Sequence, residues 1–290
     1  MKEFKDKVAV ITGAASGIGR GLAERCAQEG MKVVLSDIDE SSLYQTENEI
    51  KKEGASTLAV LTDVSKASDV EALAQMTLDK FKAVHLLFNN AGVIVGGATW
   101  TNTLADWEWV LGVNLWGVIH GVRFFVPTML KQGHECHVVN TASMAGLMST
   151  PFNSAPYSVS KHGVIALSET LYHHLSQIGS KIGVSVLCPD WVNTQVMEGE
   201  RNRPVELCND PEFDRKLKAH PAYQKMWGYA CEQIQSGISV QQAADCVFDA
   251  IRNNKFYIIT HQDAMYTAKS RAEDIIQQRN PTNVMPMPGS

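Results

Sequence analysis

Apolar residues fall into two rhythms along the chain. Short, nearly continuous apolar runs at 8–11, 32–36, 58–61, 84–88, 137–141, 182–188 and 256–260 predict seven buried strands. Between them, amphipathic stretches predict helices over 18–29, 40–53, 67–81 and 157–178, the first two closed by Gly30 and Gly54. Trp107, Val110, Leu111, Asn114, Val118 and Val122 also recur at helical spacing. Strands apolar on both faces, alternating with helices, predict βαβ units and a mainly parallel sheet covered by helices, an α/β architecture. Ligands of such sheets bind beyond the carboxyl ends of the strands. Residues that follow strands are therefore the ones to read for chemistry.

Composition narrows the class. The chain has 290 residues, 44% of them hydrophobic, with 21 Gly, an ordinary globular balance that excludes disorder as a whole. A net charge of −5 argues against a broad basic surface, so neither nucleic acid nor an anionic membrane is expected as a partner. No run of 18 apolar residues predicts a membrane span, and Met1–Asp6 lacks the apolar core of a secretory signal. The six Cys are scattered without a Cys-x-x-Cys pair, which fits a reduced, cytoplasmic protein. His134-Glu135-Cys136-His137 leads into a strand, where alternate side chains point apart, so no metal site is expected. Without repeats or linkers, residues 1–279 read as one domain and 280–290, with three Pro and two Met, as an irregular tail.

The first strand runs into Thr12-Gly13-Ala14-Ala15-Ser16-Gly17-Ile18-Gly19 and then a helix. Residues without Cβ let the chain turn sharply and let a pyrophosphate approach, with the N–H groups of the helix start behind it. Gly13, Ser16, Gly17, Ile18 and Gly19 are the candidate contacts. Asp37 ends the second strand, where a carboxylate can accept from the ribose hydroxyls of adenosine and would repel a 2′-phosphate. No Lys or Arg lies inside the loop, so NAD is expected over NADP. Asp37 also reads as a cap for the following helix.

Tyr157 and Lys161 are four apart and share a helix face. Bringing a phenol from about 10 to the range of a working base takes about 3–4 kcal/mol, and an ammonium about 4 Å away supplies about that much. Alone, such a pair is also an ordinary surface couple. Ser143 follows the fifth strand and is placed either to orient a substrate oxygen or to cap a turn. Asn114, within a helix, is either functional or a satisfied buried amide.

Together, the Gly loop, Asn89-Asn90-Ala91-Gly92, Ser143 and Tyr157-x-x-x-Lys161, each after the right element, resemble the short-chain dehydrogenase/reductase family over about residues 5–260. The resemblance implies a seven-stranded Rossmann-like, doubly wound three-layer sandwich and an oxidoreductase acting on CH–OH groups with NAD(P). It implies a catalytic set of Asn114, Ser143, Tyr157 and Lys161. It adds Asp63 and Val64 at the adenine, Asn90 and Gly92 at the ribose, and Tyr157, Lys161, Pro189 and Thr194 at the nicotinamide end. It also implies a homodimer or homotetramer. The expected reaction is reversible hydride transfer between a secondary alcohol and its ketone. The alternatives are an NADP-dependent ketone reductase and a non-catalytic dinucleotide-binding regulator.

Asp190 departs from the family pattern, which has Gly after Pro189. It reads either as a carboxylate for the nicotinamide or a cationic substrate, or as a solvated or capping Asp. An insertion at about 191–236 covers the substrate in the family. Its Trp191, Met197, Phe213, Tyr223, Met226, Trp227 and Tyr229 read as an apolar pocket for a bulky or aromatic alcohol or as plain packing, with Trp191, Met197 and Trp227 the candidate pocket residues. Its Arg201, Arg203 and Arg215 read either as contacts for an acidic substrate or as solvated charges, and solvated charges are expected.

Overall fold

In the computed structural model, which describes residues 1–150 and 153–283, the strands are β1 (Val8–Thr12), β2 (Lys32–Asp37), β3 (Thr57–Leu61), β4 (Leu86–Asn89), β5 (Cys136–Thr141), β6 (Ile182–Cys188) and β7 (Tyr257–Ile259). They form one sheet in the order β3-β2-β1-β4-β5-β6-β7, with every neighbouring pair parallel. The chain reverses its direction of winding between β1 and β4, which opens a crevice at their carboxyl ends. This is the Rossmann-like sandwich that the sequence implies.

Alternation along β1 sorts the two layers. Ala9 and Ile11 face a core built with α1 (Gly17–Gln28), α2 (Glu40–Lys52) and α9 (Val240–Asn253). Val8 and Val10 face the opposite core, built with α3 (Ala67–Phe81), α5 (Gly117–Gln132) and α6 (Ala155–Gln177). Phe88, Phe125 and Phe248 are the largest fully buried side chains. Burying one such ring contributes about 2–3 kcal/mol.

The helix ahead of β5 is one 29-residue unit, α4 (Leu104–Leu111) and α5 joined by a π-helical turn at Gly112–Trp116. It is long and apolar enough to cross a membrane, yet Trp109, Val110, Val118, Phe125, Val126 and Met129 are buried in the protein core. The π turn, a feature frequent at functional sites, carries buried Asn114.

Three elements differ from the sequence reading. Val84 lies outside β4 because the Gln132 side chain takes both its N–H and its carbonyl, at 2.9 and 2.8 Å. Helix α9 was not anticipated, although Ser239 and Gln242 form its capping box and Ala243, Ala244, Val247, Phe248 and Ile251 its buried stripe. Helix α10 (Met265–Ile276) was not anticipated either. Between β6 and α9 lie short helical turns at Val196–Asn202 and Val205–Leu207, then α7 (Pro211–Ala219) and α8 (Pro221–Gln235). Of the expected tail, residues 284–290 lie outside the described residues.

Candidate active site

Gly13 and Gly17 adopt φ of +69° and +53°, the left-handed conformation that favours glycine, and turn the chain from β1 into α1. A Cβ on Gly13 would lie 2.8 Å from the Ala91 Cα, so the loop packs directly on the chain after β4. Gly19 differs from the expectation. It does not line the cavity; a Cβ there would lie 1.9 Å from the Gly13 carbonyl oxygen, so its smallness lets α1 pack against the loop. Ser16 precedes α1 without capping it through its side chain, which leaves the first-turn N–H groups of the helix for an anion.

Asp37 holds this loop. One carboxylate oxygen accepts from the Ala15 N–H at 2.9 Å and the other from the Asp39 N–H at 3.0 Å. Burial pushes the Asp37 carboxyl up, and the backbone N–H bonds oppose that. The helix cap is Asp39, which accepts from Ser42 N, so the capping reading of Asp37 does not hold. The cations lining the cavity are Lys161, Arg201 and Lys216, and none of them belongs to the stretch around Asp37 and Ile38. Asp63 lines the cavity, while its carboxylate accepts from Ser65 N and Oγ and pairs with Lys66. Asn90 bridges two strand ends: Nδ2 donates to the Thr12 carbonyl and Oδ1 accepts from Thr141 Oγ1. Thr194 abuts Gly17 from the far side, its Cγ2 3.2 Å from where a Gly17 Cβ would stand. Open glycines, a free helix start and a carboxylate at the second strand's end fit a nicotinamide dinucleotide.

Ser143, Tyr157 and Lys161 line the same cavity. Ser143 Oγ accepts from Ala145 N at 3.1 Å, the capping reading, donates to the Pro189 carbonyl at 3.5 Å, and lies near enough to the Tyr157 phenol to influence it. Lys161 Nζ donates to the Thr141 carbonyl at 3.1 Å and sits 5.6 Å from the centre of the Tyr157 ring. Burial lowers the Lys161 ammonium to about 8. Burial pushes the Tyr157 phenol up; the neighbouring Ser143 hydroxyl lowers it, and the Asp190 charge raises it again. The expectation that Lys161 alone brings the phenol into a working range is therefore corrected. Desolvation dominates the phenol, and the bonded partner of the ammonium is the Thr141 carbonyl.

Asn114 does not line the cavity and does not bond Lys161. Its Oδ1 accepts from Val93 N at 2.8 Å, and its Nδ2 donates to the Val93 carbonyl and to Ser160 Oγ at 2.9 and 3.1 Å. It ties the segment after β4 to α6, one residue from Lys161. Pro189 brings β6 to the same wall, its carbonyl accepting from Met144 N at 2.9 Å.

The cavity measures about 960 Å³, and all seven aromatic and Met residues singled out in the insertion line it. Trp191, Met197 and Trp227 are among these lining residues. Trp191 meets Tyr229 edge-on at 6.4 Å, and Tyr223 stacks on Trp227 at 5.5 Å. Arg203 is not solvated. It pairs with Asp106 of α4 at 2.8 Å with only 4% and 3% of the two side chains exposed, and its guanidinium lies 5.0 Å from the Trp109 ring.

A profile of the family described as short chain dehydrogenase matches residues 7–204. The chain belongs to the short-chain dehydrogenase/reductase family. A CLA biosynthesis dehydrogenase/reductase of Lactiplantibacillus plantarum is 35% identical over 283 residues, 97% of each chain. A 1-deoxy-11-beta-hydroxypentalenate dehydrogenase of Streptomyces avermitilis is 33% identical, over 94% of this chain and 91% of its own. In solved structures, a short chain dehydrogenase/reductase from Burkholderia phymatum in complex with NAD is similar with a TM-score of 0.94 and 45% identity, covering 99% of this chain and 100% of that one. The protein is thus an oxidoreductase acting on CH–OH groups and binding a nicotinamide dinucleotide.

Several residues of this dehydrogenase/reductase site were not read from the sequence. Thr141 holds Lys161 through its carbonyl, and its position directly at the end of a strand was the available signal. Thr12, Ser160 and the Asp106–Arg203 pair had no signal, since their roles come from partners distant in the chain. The His134–His137 side chains take separate directions. His134 stacks on His85, Glu135 meets the N-terminal amine, Cys136 Sγ donates to the Val84 carbonyl, and His137 Nε2 meets Ser185 Oγ.

Proposed function

We propose that this dehydrogenase/reductase catalyses NAD-dependent, reversible hydride transfer between a bulky or aromatic secondary alcohol and its ketone, with Tyr157 as general acid/base. The observation that carries this reading is one cavity lined by Ser143, Tyr157 and Lys161, with Lys161 one helical turn from Tyr157, that continues to the Gly13–Gly17 loop and Asp37. Asp37, followed along the cavity lining by Ile38 rather than by a Lys or Arg, supports NAD over NADP. The aromatic lining supports a large apolar substrate, and the hydroxy-compound dehydrogenase among the relatives is in keeping with it.

When bound, the nicotinamide supplies the hydride acceptor or donor and, oxidised, a positive charge. The protein's own part is positional and acid–base. Ser143 orients the substrate oxygen toward Tyr157. The phenol oxygen takes the hydroxyl proton in oxidation and returns it in reduction. The raised phenol favours the protonated form, which suits ketone reduction. For oxidation, Lys161 and the cofactor charge must together offset burial. Asn114 and Thr141 fix Lys161's surroundings, and the aromatic insertion excludes water from the transfer.

The test is absorbance at 340 nm with NAD or NADP against benzylic, steroid and aliphatic secondary alcohols. Turnover preferring NAD and a bulky alcohol is expected. Tyr157→Phe should lower kcat by about a hundredfold or more while cofactor binding survives. A variant that keeps its turnover refutes the role given to Tyr157.

A further inference from the structure

One polar group on the cavity wall has no task in this scheme. Asp190 lines the cavity at the end of β6, between Pro189 and Trp191. Its backbone is fixed: the Asp190 N–H donates to Thr260 Oγ1 at 3.3 Å, and the preceding carbonyl accepts from Met144. Its carboxylate, in contrast, has no hydrogen-bond or ion-pair partner among the described residues. Thr260 and His261 do not fill that gap. Their hydroxyl and ring nitrogen bond each other at 2.8 Å, and His261 acts on Asp190 only through space.

The carboxylate is also close to the reacting wall. Asp190 follows Pro189, whose carbonyl accepts from Met144 N at 2.9 Å and from Ser143 Oγ at 3.5 Å, so it borders the Ser143 side of the wall, and its charge acts on the Tyr157 phenol. Water reaches the half-buried carboxylate in the open cavity, but a ligand that displaces this water against Trp191 and Tyr229 strands the charge unless it brings a donor. A wholly apolar alcohol would leave it unpaired beside the aromatic rings. A substrate with an apolar body and one donor near its carbinol would match both features of the wall.

We propose that Asp190 is a specificity-determining residue that accepts a hydrogen bond from a donor on the substrate, a hydroxyl or an ammonium on the carbon next to the reacting carbinol. The inference rests on the reading that an alcohol reacts at the Tyr157 wall. It narrows the substrate class to vicinal diols or amino alcohols carrying a bulky apolar group. The shared chemistry is the donor, and charge separates its two sources.

The experiment compares 1-phenylethanol, 1-phenyl-1,2-ethanediol and 2-amino-1-phenylethanol as matched probes, with the wild type, Asp190→Ala and Asp190→Asn. Two quantities are read: kcat/KM with NAD, and binding in the presence of NAD followed by tryptophan fluorescence. The wild type is expected to favour one donor-bearing probe over 1-phenylethanol by about tenfold or more. Asp190→Ala should bring that ratio close to one. Asp190→Asn, which keeps an acceptor but no charge, should retain preference for the diol and lose preference for the amine. Loss with Asn therefore assigns the donor as an ammonium, and retention assigns it as a hydroxyl.

A wild-type ratio near one in both readouts, or a ratio that Asp190→Ala leaves unchanged, overturns the inference. The two readings fail separately. Oxidation of 1-phenylethanol without any donor preference sinks this inference and leaves the reaction standing. A donor preference in binding that Asp190→Ala abolishes, without turnover of any probe, keeps the recognition and sinks the reaction.

Discussion

Arg203→Ala tests how the substrate-covering segment is held. From 196 to 235 the turns and helices contain a single fully buried residue, Ile234, so little apolar area fastens them. Their polar fastening is concentrated at Asp106, where Arg203 pairs at 2.8 Å and Asn209 Nδ2 donates at 3.0 Å. Arg203 also donates to the Leu207 carbonyl at 2.8 Å. Removing one partner of a buried pair costs about 3–5 kcal/mol. The lower end applies, because Asp106 keeps the Asn209 bond and the Thr103 N–H at 2.9 Å. About 3 kcal/mol corresponds to about a hundredfold shift in the closed population of the segment.

The measurements are KM for a bulky alcohol, limited proteolysis and Tm. KM and the cleavage rate within 196–235 should each rise by up to about a hundredfold, with kcat changed less. Tm should move little, because the sheet and its two cores do not depend on this pair. A double-mutant cycle with Asp106→Asn isolates the pair from the cost of stranding one charge. If Arg203→Ala leaves both KM and the cleavage pattern as in the wild type, the pair is not the fastening.

Asp37→Ala should raise KM for NAD by about tenfold and shift kcat/KM toward NADP, since it removes both the ribose acceptor and the partner of Ala15 N; an unchanged cofactor ratio refutes the role. His137 is 1% exposed, and burial lowers it to about 3. The unfolded chain therefore binds more protons between about pH 3 and 6.5, and stability falls as pH drops through that window, by about 2–3 kcal/mol at about pH 4.5. Chemical denaturation of His137→Asn should show a shallower acid slope; equal slopes would contradict this. A Cβ on Gly96 would come within 2.5 Å of the Tyr223 ring, so Gly96→Ala should displace α8, disturb the Tyr223–Trp227 stack and raise KM for bulky alcohols with Tm nearly unchanged. Substrate saturation curves and thermal melts check that split.

The sequence by itself determined the elements whose information is local. Apolar runs such as 8–11 and 182–188 can only be buried strands, and the glycines after β1 announce a turn that no other residue makes easily. The order of strand, Gly loop and helix, with Asp37 ending a strand, Ser143 just past one, and Tyr157 and Lys161 in the first turns of a helix, located the candidate site because strand ends share one crevice in such a sheet. Helix α9 was equally legible in its capping box and apolar stripe; the information was present and was not read.

Only the tertiary structure decided what depends on partners far apart in the chain. Arg203 reads as a surface charge until Asp106 and Trp109, about a hundred residues away, close around it. Gly19 belongs to the loop's packing rather than to its open face, which spacing cannot distinguish. The Tyr157–Lys161 spacing gave proximity, but the phenol's acidity depends on desolvation, on the neighbouring Ser143 hydroxyl and on the charge of Asp190. Burial and electrostatics are properties of the whole enclosure, so a local motif places the groups while the fold sets their proton affinities.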